Sequence, residues 1–393
     1  MEEQFVGEFG EDVVGVEVEA DLGAIPPRVL EPGHAAEPTP VQAAFADRTI
    51  SPMAETEVRV NRQIVLKQRP TGVVSEDCFD LVEVPLPGPE ALADGEALVR
   101  NVYLSVDPTQ RGWISRDTYL PAIQPGEVIR SGSAGQVVAS RNARLPVGSL
   151  VSGLTGWSEY AVVGGNMSAV PAGVDLRASM SVLGATGLTA YFGMLDIGRP
   201  QQEETVLVSG AAGATGSVAG QIARIQGARV VGLAGTAEKC AWLTRELGFA
   251  AAINYRTEDV AARLSETCPN GIDVYFDNVG GRLLELVLDR IRLKARIVLC
   301  GAISQYSDEE PSPGPRNLMQ LVLQRSRMEG FLVFDYLERY PEAAARLSQW
   351  VRAGDLRYRV EVMEGLEAAP RALRALFTGG NTGKLLVQIA PEP

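Results

Sequence analysis

The chain has 393 residues, 46% hydrophobic and 22% charged, with a formal net charge of −13, proportions that suit a packed protein of two or three domains. A single histidine, His34, and four cysteines scattered at 78, 240, 268 and 300 exclude the close ligand spacing of zinc sites and the usual histidine-dependent nucleophile pairs. The acidity, with no basic stripe, excludes a nucleic-acid partner.

Four isolated cysteines in so long a chain read as reduced thiols, which points to the cytoplasm. The uncharged stretches 178–195 and 205–223 are rich in Gly, Ala, Ser and Thr, too weakly apolar to span a membrane. Glu2 and Glu3 stand where a signal peptide needs positive charge. Residues 1–55 hold twelve Asp or Glu against only Arg28 and Arg48. With five prolines in 26–40, the segment 1–57 is expected to be an acidic, disordered extension. Met53 is an alternative start.

From 61 to about 170, short β-like runs at 63–67, 97–106, 128–138 and 150–163 are punctuated by Gly and Pro turns, which predicts a compact, mainly β barrel-like domain. Beyond Met180 the rhythm changes. Apolar runs at 205–209, 229–234, 251–255, 272–277 and 296–300 alternate with helix-length segments, the pattern of a parallel sheet with crossover helices. A sixth strand is expected at 328–334, then helices at 342–353 and 366–377 and a last strand at 384–389, whose destination the pattern leaves open.

The first of these parallel strands, TVLVS, runs into Gly210 and AAGATG, followed by the helix-like SVAGQIARIQG. Such a turn lets backbone N–H groups of Gly213, Ala214, Thr215 and Gly216 approach a pyrophosphate at a helix N-terminus. Ala211 replaces the first glycine of the usual fingerprint. At the end of the second strand, Gly235 and Thr236 stand where an NAD-selective fold places an acid. A carboxylate about 5 Å from a 2′-phosphate would repel it by roughly 3 kcal/mol per charge pair. Its absence admits NADPH, and Lys239, one helical turn on, can supply a point charge for the phosphate.

Nine motifs occur in order: LSVDP…RG (104–112), GWSEY (156–160), LGATGLTAYFG (183–193), AAGATGSVAGQIA, AGTAEK, NYR (254–256), FDNVGG (276–281), CGAISQY (300–306) and NTGK (381–384). As a set they resemble the zinc-independent medium-chain dehydrogenase/reductases, within them the branch of prostaglandin reductases and NADPH-dependent 2-alkenal reductases. The resemblance implies an α/β protein in which a Rossmann doubly wound parallel sheet is inserted in a GroES-like, mainly β barrel domain. The expected division is 58–180 as the GroES-like substrate domain and 181–327 as the Rossmann domain. Residues 328–393 would close the Rossmann sheet and return to the first domain. A homodimer is implied as well.

By the same resemblance, Lys239 and Tyr255 hold the 2′-phosphate, while Asn278, Cys300, Gly301, Ala302, Ile303, Ser304, Tyr306, Phe331, Leu332, Val333 and Asn381 surround the nicotinamide and its ribose. Tyr306 is the catalytic candidate. Thr109 and Gln110 replace the family's usual Tyr-Met, and Thr186 a common proline; the first departure lies near the expected substrate pocket. The implied reaction is metal-free reduction of the carbon–carbon double bond of an enal or enone, whose delocalised enolate a hydroxyl or N–H can steady. A quinone reductase of the same superfamily and a non-enzymatic NADPH-binding protein remain as alternatives.

Overall fold

A computed structural model describes residues 60–308 and 312–393; the acidic stretch 1–57, with His34 and the alternative start Met53, lies outside the described residues. Fifteen strands are found among them. The first group comprises β1 (Val60–Leu66), β2 (Phe79–Pro85), β3 (Ala97–Ser105), β4 (Arg130–Ser140), β5 (Leu150–Gly156), β6 (Tyr160–Val163) and β7 (Met167–Ala169). A second group follows: β8 (Thr205–Val208), β9 (Arg229–Ala234), β10 (Ala251–Asn254), β11 (Ile272–Asp277), β12 (Ile291–Leu299) and β13 (Arg327–Gly330). The last two are β14 (Val360–Glu364) and β15 (Lys384–Gln388).

Strands β8 to β13 form one parallel sheet in the order β10-β9-β8-β11-β12-β13. Their sequences read as continuous apolar runs because helices cover both faces; every residue of β11 is buried. The helix Ala214–Ile225 lays Val218, Ala219, Ile222 and Ala223 into the core beneath it. Gly220 permits that close contact, since a Cβ there would lie 2.1 Å from the Phe249 ring. The chain winds one way from β8 to β10 and the other from β11 to β13. This reversal leaves a crevice at the carboxyl ends of β8 and β11, where open α/β sheets bind ligands.

The remaining strands build a mixed sheet in the order β14-β15-β3-β4-β5-β7, with β6 on β3. The hairpin β1–β2 attaches through isolated bridges Gln63 to Ser158 and Val65 to Val128. A wholly buried Trp157, 5.4 Å from the Phe79 ring, fills the space beneath it. The terminal strand β15 lies antiparallel to β3 and parallel to β14, so the chain end returns to the sheet built by its beginning.

Two expectations are corrected. The run 150–163 is two strands, broken at Trp157 and Ser158, because β5 pairs with β4 and β6 with β3. Asn101 anchors the corner, its side-chain amide donating to the Ser158 carbonyl at 2.9 Å. The sixth parallel strand ends at Gly330 rather than at 334: Val333–Arg339 winds into a short helical turn. Aromatic packing holds it there, with Tyr336 stacked on Phe192 at 4.3 Å and edge-on to Phe331 at 6.3 Å. No helix among the described residues is long and apolar enough to cross a membrane.

Candidate active site

The turn after β8 is shaped by its glycines. Gly210 has φ of +57°, a left-handed conformation that costs glycine little. Its carbonyl accepts the Gly213 N–H at 2.9 Å and faces Gly216, where a Cβ would lie only 2.4 Å from it. The helix therefore begins tight against the turn. Gly213 occupies the N-cap position and no side chain caps the helix. The N–H groups of Ala214, Thr215 and Gly216 thus lack intrahelical acceptors, and the helix dipole adds partial positive charge to them. That end of the helix can receive an anion.

Beside the turn, Asp277 at the end of β11 is fully buried and acts as a hub. Its Oδ1 accepts from the Ser209 and Tyr275 hydroxyls, both at 2.8 Å, and from the N–H groups of Val279 and Gly280 at 2.9 and 3.0 Å. The next residue, Asn278, donates its side-chain amide to the Ser209 carbonyl at 2.7 Å. The two strand ends are locked together across the crevice.

The segment 300–306 is built onto this hub. The N–H groups of Cys300 and Gly301 donate to the Asp277 carbonyl at 2.9 and 3.0 Å, Ile303 to that of Asn278 and Ser304 to that of Val279, each at 3.2 Å. The backbone then folds Tyr306 back so that its hydroxyl accepts the Ala302 N–H at 3.2 Å. Gly301 makes room, because a Cβ there would come within 3.0 Å of that hydroxyl. Burial pushes the Tyr306 hydroxyl above the usual phenol range, against the downward pull of the Ala302 N–H. The group stays protonated at neutral pH. With one lone pair already accepting, its hydrogen is available to an acceptor outside the segment. Burial likewise pushes the Cys300 thiol up to about 12, so it is a neutral wall and no nucleophile.

A second cluster forms where β9 and β10 end. A Cβ on Gly235 would lie 2.8 Å from the Tyr255 hydroxyl and 3.3 Å from Arg256 Nε. Lys239 Nζ donates to the Gly379 carbonyl at 2.9 Å and Arg256 Nη2 to the Thr378 carbonyl at 2.8 Å. Both cationic heads flank the end of helix Ala369–Thr378, whose negative dipole end they complement. Burial lowers the Lys239 pKa, and Arg256 pushes it the same way while Glu361 opposes them. Sequence reasoning placed Lys239, Tyr255 and Gly235 here and missed Arg256, although NYR contains it.

Asn381 reaches the site through the backbone. Gly383, two residues on, bridges to Gly213 and donates its N–H to the Ala212 carbonyl at 2.8 Å, while the Asn381 amide donates to the Gly383 carbonyl at 2.9 Å. Phe331 and Val333 pack against the core cluster that also takes in Cys300. Leu332 is set apart: its N–H turns to Asp335 at 3.3 Å.

Across the crevice stand residues that sequence reasoning treated only as departures or passed over. The Thr109 hydroxyl is 2.8 Å from that of Tyr119, and the Tyr119 ring lies 6.1 Å from Trp113 and 6.0 Å from Phe334. Tyr119 is near enough to Tyr306 to raise the cost of ionising it. Behind them Lys384, 2% exposed, pairs with Asp107 and donates to the Val106 carbonyl at 3.0 Å. Local pattern gave no sign of that contact, because its partners are 277 residues apart.

Residues 62–170 match the family described as the N-terminal domain of oxidoreductase, and residues 214–349 match the zinc-binding dehydrogenase family. A putative NADP-dependent oxidoreductase, YfmJ, of Bacillus subtilis is 44% identical over 340 residues, 84% of this chain and 98% of the relative. The NADPH-dependent curcumin reductase of Escherichia coli is 39% identical over 343 residues, again 84% of this chain and 98% of the relative. The solved structure of CurA in complex with NADPH from Vibrio vulnificus superposes with a TM-score of 0.80 at 41% identity, covering 84% of this chain and 99% of that one. Among the described residues no group of three or more His, Cys, Asp or Glu could hold a metal ion. The chain belongs to the medium-chain dehydrogenase/reductase superfamily, in the branch that holds the prostaglandin reductases and the NADP-dependent curcumin and 2-alkenal reductases.

Proposed function

We propose that the protein reduces the carbon–carbon double bond of α,β-unsaturated aldehydes or ketones with NADPH and without a metal ion. The observation that carries this reading is the protonated Tyr306 hydroxyl, held by the Ala302 N–H above a glycine-lined crevice with its own hydrogen free to donate. NADPH, when bound, supplies a hydride to the β-carbon of such a substrate.

The fit of the chain to that coenzyme rests on its own groups. The N–H groups of Ala214, Thr215 and Gly216 receive the pyrophosphate. Lys239 and Arg256 offer charge to the 2′-phosphate, Tyr255 packs beside it, and the missing side chain of Gly235 leaves space. Asn278 and the segment 300–306 line the nicotinamide side with uncharged groups, and Asn381 completes it. Tyr306 steadies the charge that develops on the substrate oxygen by hydrogen bonding, as an N–H or hydroxyl suffices for a delocalised enolate. Trp113, Tyr119 and Phe334 make the opposite wall aromatic, with the Tyr119 ring edge-on to Trp113 at 81° and tilted 53° to Phe334. On this reading residues 58–180 face the substrate and 181–327 hold the coenzyme.

Homodimerisation belongs to the same reading. Among the described residues β13 is an edge strand of the parallel sheet with one side unpaired, and the neighbouring Leu318, Met319, Val322 and Leu323 are exposed by 47, 64, 66 and 59%. A second copy that pairs along β13 would cover both. NADPH oxidation with a panel of enals, enones and quinones tests the activity. Turnover of enals and enones supports the reading; turnover of quinones alone, or none with NADPH bound, overturns it.

A further inference from the structure

At the end of the parallel sheet opposite the glycine turn, a surface cavity of about 450 Å³ opens between the starts of β8, β12 and β13. Arg199, Lys294, Arg296, Arg325 and Arg327 line it, with Glu204 as the one carboxylate. The positive charge is concentrated here, while the chain beyond residue 55 carries a net charge of −3.

Among the described residues two of the cations, Arg296 and Arg327, have carboxylate partners, and three do not. Glu204 is engaged by Arg296, whose guanidinium also donates to the Gly198 and Arg199 carbonyls at 2.9 and 3.1 Å. Burial alone would raise the Glu204 pKa, but the hydrogen bonds from Arg296 and the Gln201 N–H hold it below the usual range, so it stays charged and occupied. Arg327 donates to the Ile197 carbonyl at 2.6 Å and has Glu329 only at 4.0 Å. Arg199 donates Nε to the Asp196 carbonyl at 2.6 Å. Among the described residues no carboxylate lies within ion-pair distance of Arg199, Lys294 or Arg325.

The backbone here is also unusual. Among the described residues four non-glycines have positive φ: Arg199 at 46°, Glu203 at 65°, Lys294 at 62° and Arg325 at 48°. Three line this cavity and the fourth precedes Glu204. Lys294 sits in the bulge of β12, where the register with β11 jumps from Ile291 to Arg296, and its N–H is tied to the Gln324 carbonyl at 2.7 Å. Side-chain-bearing residues in this conformation carry strain that gathers at binding sites.

We propose that this cavity binds a small molecule carrying two or three linked phosphates, at a site separate from the coenzyme turn. Planar guanidiniums match phosphate oxygens in pairs, and a lysine adds a point charge. Three cations without a carboxylate partner among the described residues, Arg199, Lys294 and Arg325, favour a multiply charged anion over a lone carboxylate. The volume admits a chain of phosphates with or without a nucleoside.

The test is calorimetric titration of the full-length protein at low salt with tripolyphosphate and, separately, with ATP. Saturable binding is expected, weakened at least tenfold in a Lys294→Gln/Arg325→Gln variant, restored by Lys294→Arg/Arg325→Lys, and retained in Arg256→Gln. Both variant positions are exposed, and an unchanged melting temperature checks the fold. Equal affinity for the two ligands assigns recognition to the phosphates alone; tighter ATP binding adds the nucleoside to the site. Absence of binding, indifference to the Lys294 and Arg325 changes, or loss on Arg256→Gln instead would overturn the proposal.

Discussion

Replacing Lys239 by Gln tests the coenzyme reading most directly. Lys239 Nζ and Arg256 Nη2 crowd the same backbone: a Cβ on Gly379 would lie 3.9 Å from the first and 2.9 Å from the second. Two like charges facing one glycine repel each other, and the Gly379 and Thr378 carbonyls offset that only in part. A 2′-phosphate between them relieves the repulsion and gains charge-assisted hydrogen bonds of about 1.5–3 kcal/mol each. Lys239→Gln should therefore raise the NADPH KM by about 10- to 150-fold and leave the NADH KM within about threefold. Protonation gives the same argument a second form. The Lys239 pKa is lowered by burial and by Arg256. As pH rises through that depressed value the charge is lost sooner than on an ordinary lysine, so NADPH affinity falls on the alkaline side. NADH affinity does not. Steady-state kinetics with both coenzymes across pH 7–10 measures both effects. Parallel shifts for NADPH and NADH, or a wild-type enzyme that uses them equally, would refute the assignment of Lys239 and Arg256.

Tyr306→Phe removes the only hydrogen its side chain can donate and should lower kcat on enones about 100-fold with NADPH KM unchanged; unaltered turnover removes the hydroxyl from the reaction. Gly216→Ala places a Cβ 2.4 Å from the Gly210 carbonyl and 3.0 Å from Ala211 Cα, so thermal unfolding should show a loss of about 1–3 kcal/mol together with weakened coenzyme binding. Lys384→Met removes the cation paired with Asp107, whose side chain is 28% exposed and keeps the Ser105 hydroxyl as a donor. Denaturant unfolding should report a loss of about 3 kcal/mol, most of it recovered by adding Asp107→Asn. A Cys300 thiol at about 12 is ionised in roughly one molecule in ten thousand at pH 8. Peptide mapping after iodoacetamide should find it unmodified in the native protein, with a rate that climbs about tenfold per pH unit, and a plateau near pH 9 would contradict the shift.

Much of this site was legible because it is local. The turn 210–216, the absent acid at Gly235 and the segment 300–306 each follow one strand, and strand–turn–helix grammar places such residues at the carboxyl end of a parallel sheet. Less local features were hidden. β2 reads FDLVEVP and β14 reads VEVME, half-exposed strands whose acids interrupt the apolar pattern that marks buried ones. The helical turn Val333–Arg339 continues an apolar run and differs from a strand only through the packing of Phe331 and Tyr336. Asp277 looked like the end of a strand, and its four donors come from neighbours that only the folded sheet brings together. The same holds for Thr109: sequence marked it as a departure, while its hydroxyl contact with Tyr119 depends on how the following loop folds.

The six residues 379–384 explain why distant parts of the crevice keep their relative positions. The Gly379 carbonyl takes Lys239, the Gly383 N–H binds the Ala212 carbonyl in the glycine turn, and Lys384 reaches Asp107 beside the aromatic wall. Gly379 and Gly383 have φ of +71° and +72°, and a Cβ on Gly383 would meet the Arg359 carbonyl at 2.2 Å. At Gly383 the backbone contact leaves no room for a side chain, and at Gly379 the left-handed conformation favours glycine. It leads directly into β15, which is anchored between β14 and β3, so its contacts are fixed by a sheet and not by a free loop. One short segment thus links Lys239, the turn before helix Ala214–Ile225 and the loop beneath Thr109. On the proposed reading, a bound molecule long enough to span all three meets a gauge already set, which lowers the ordering cost of binding.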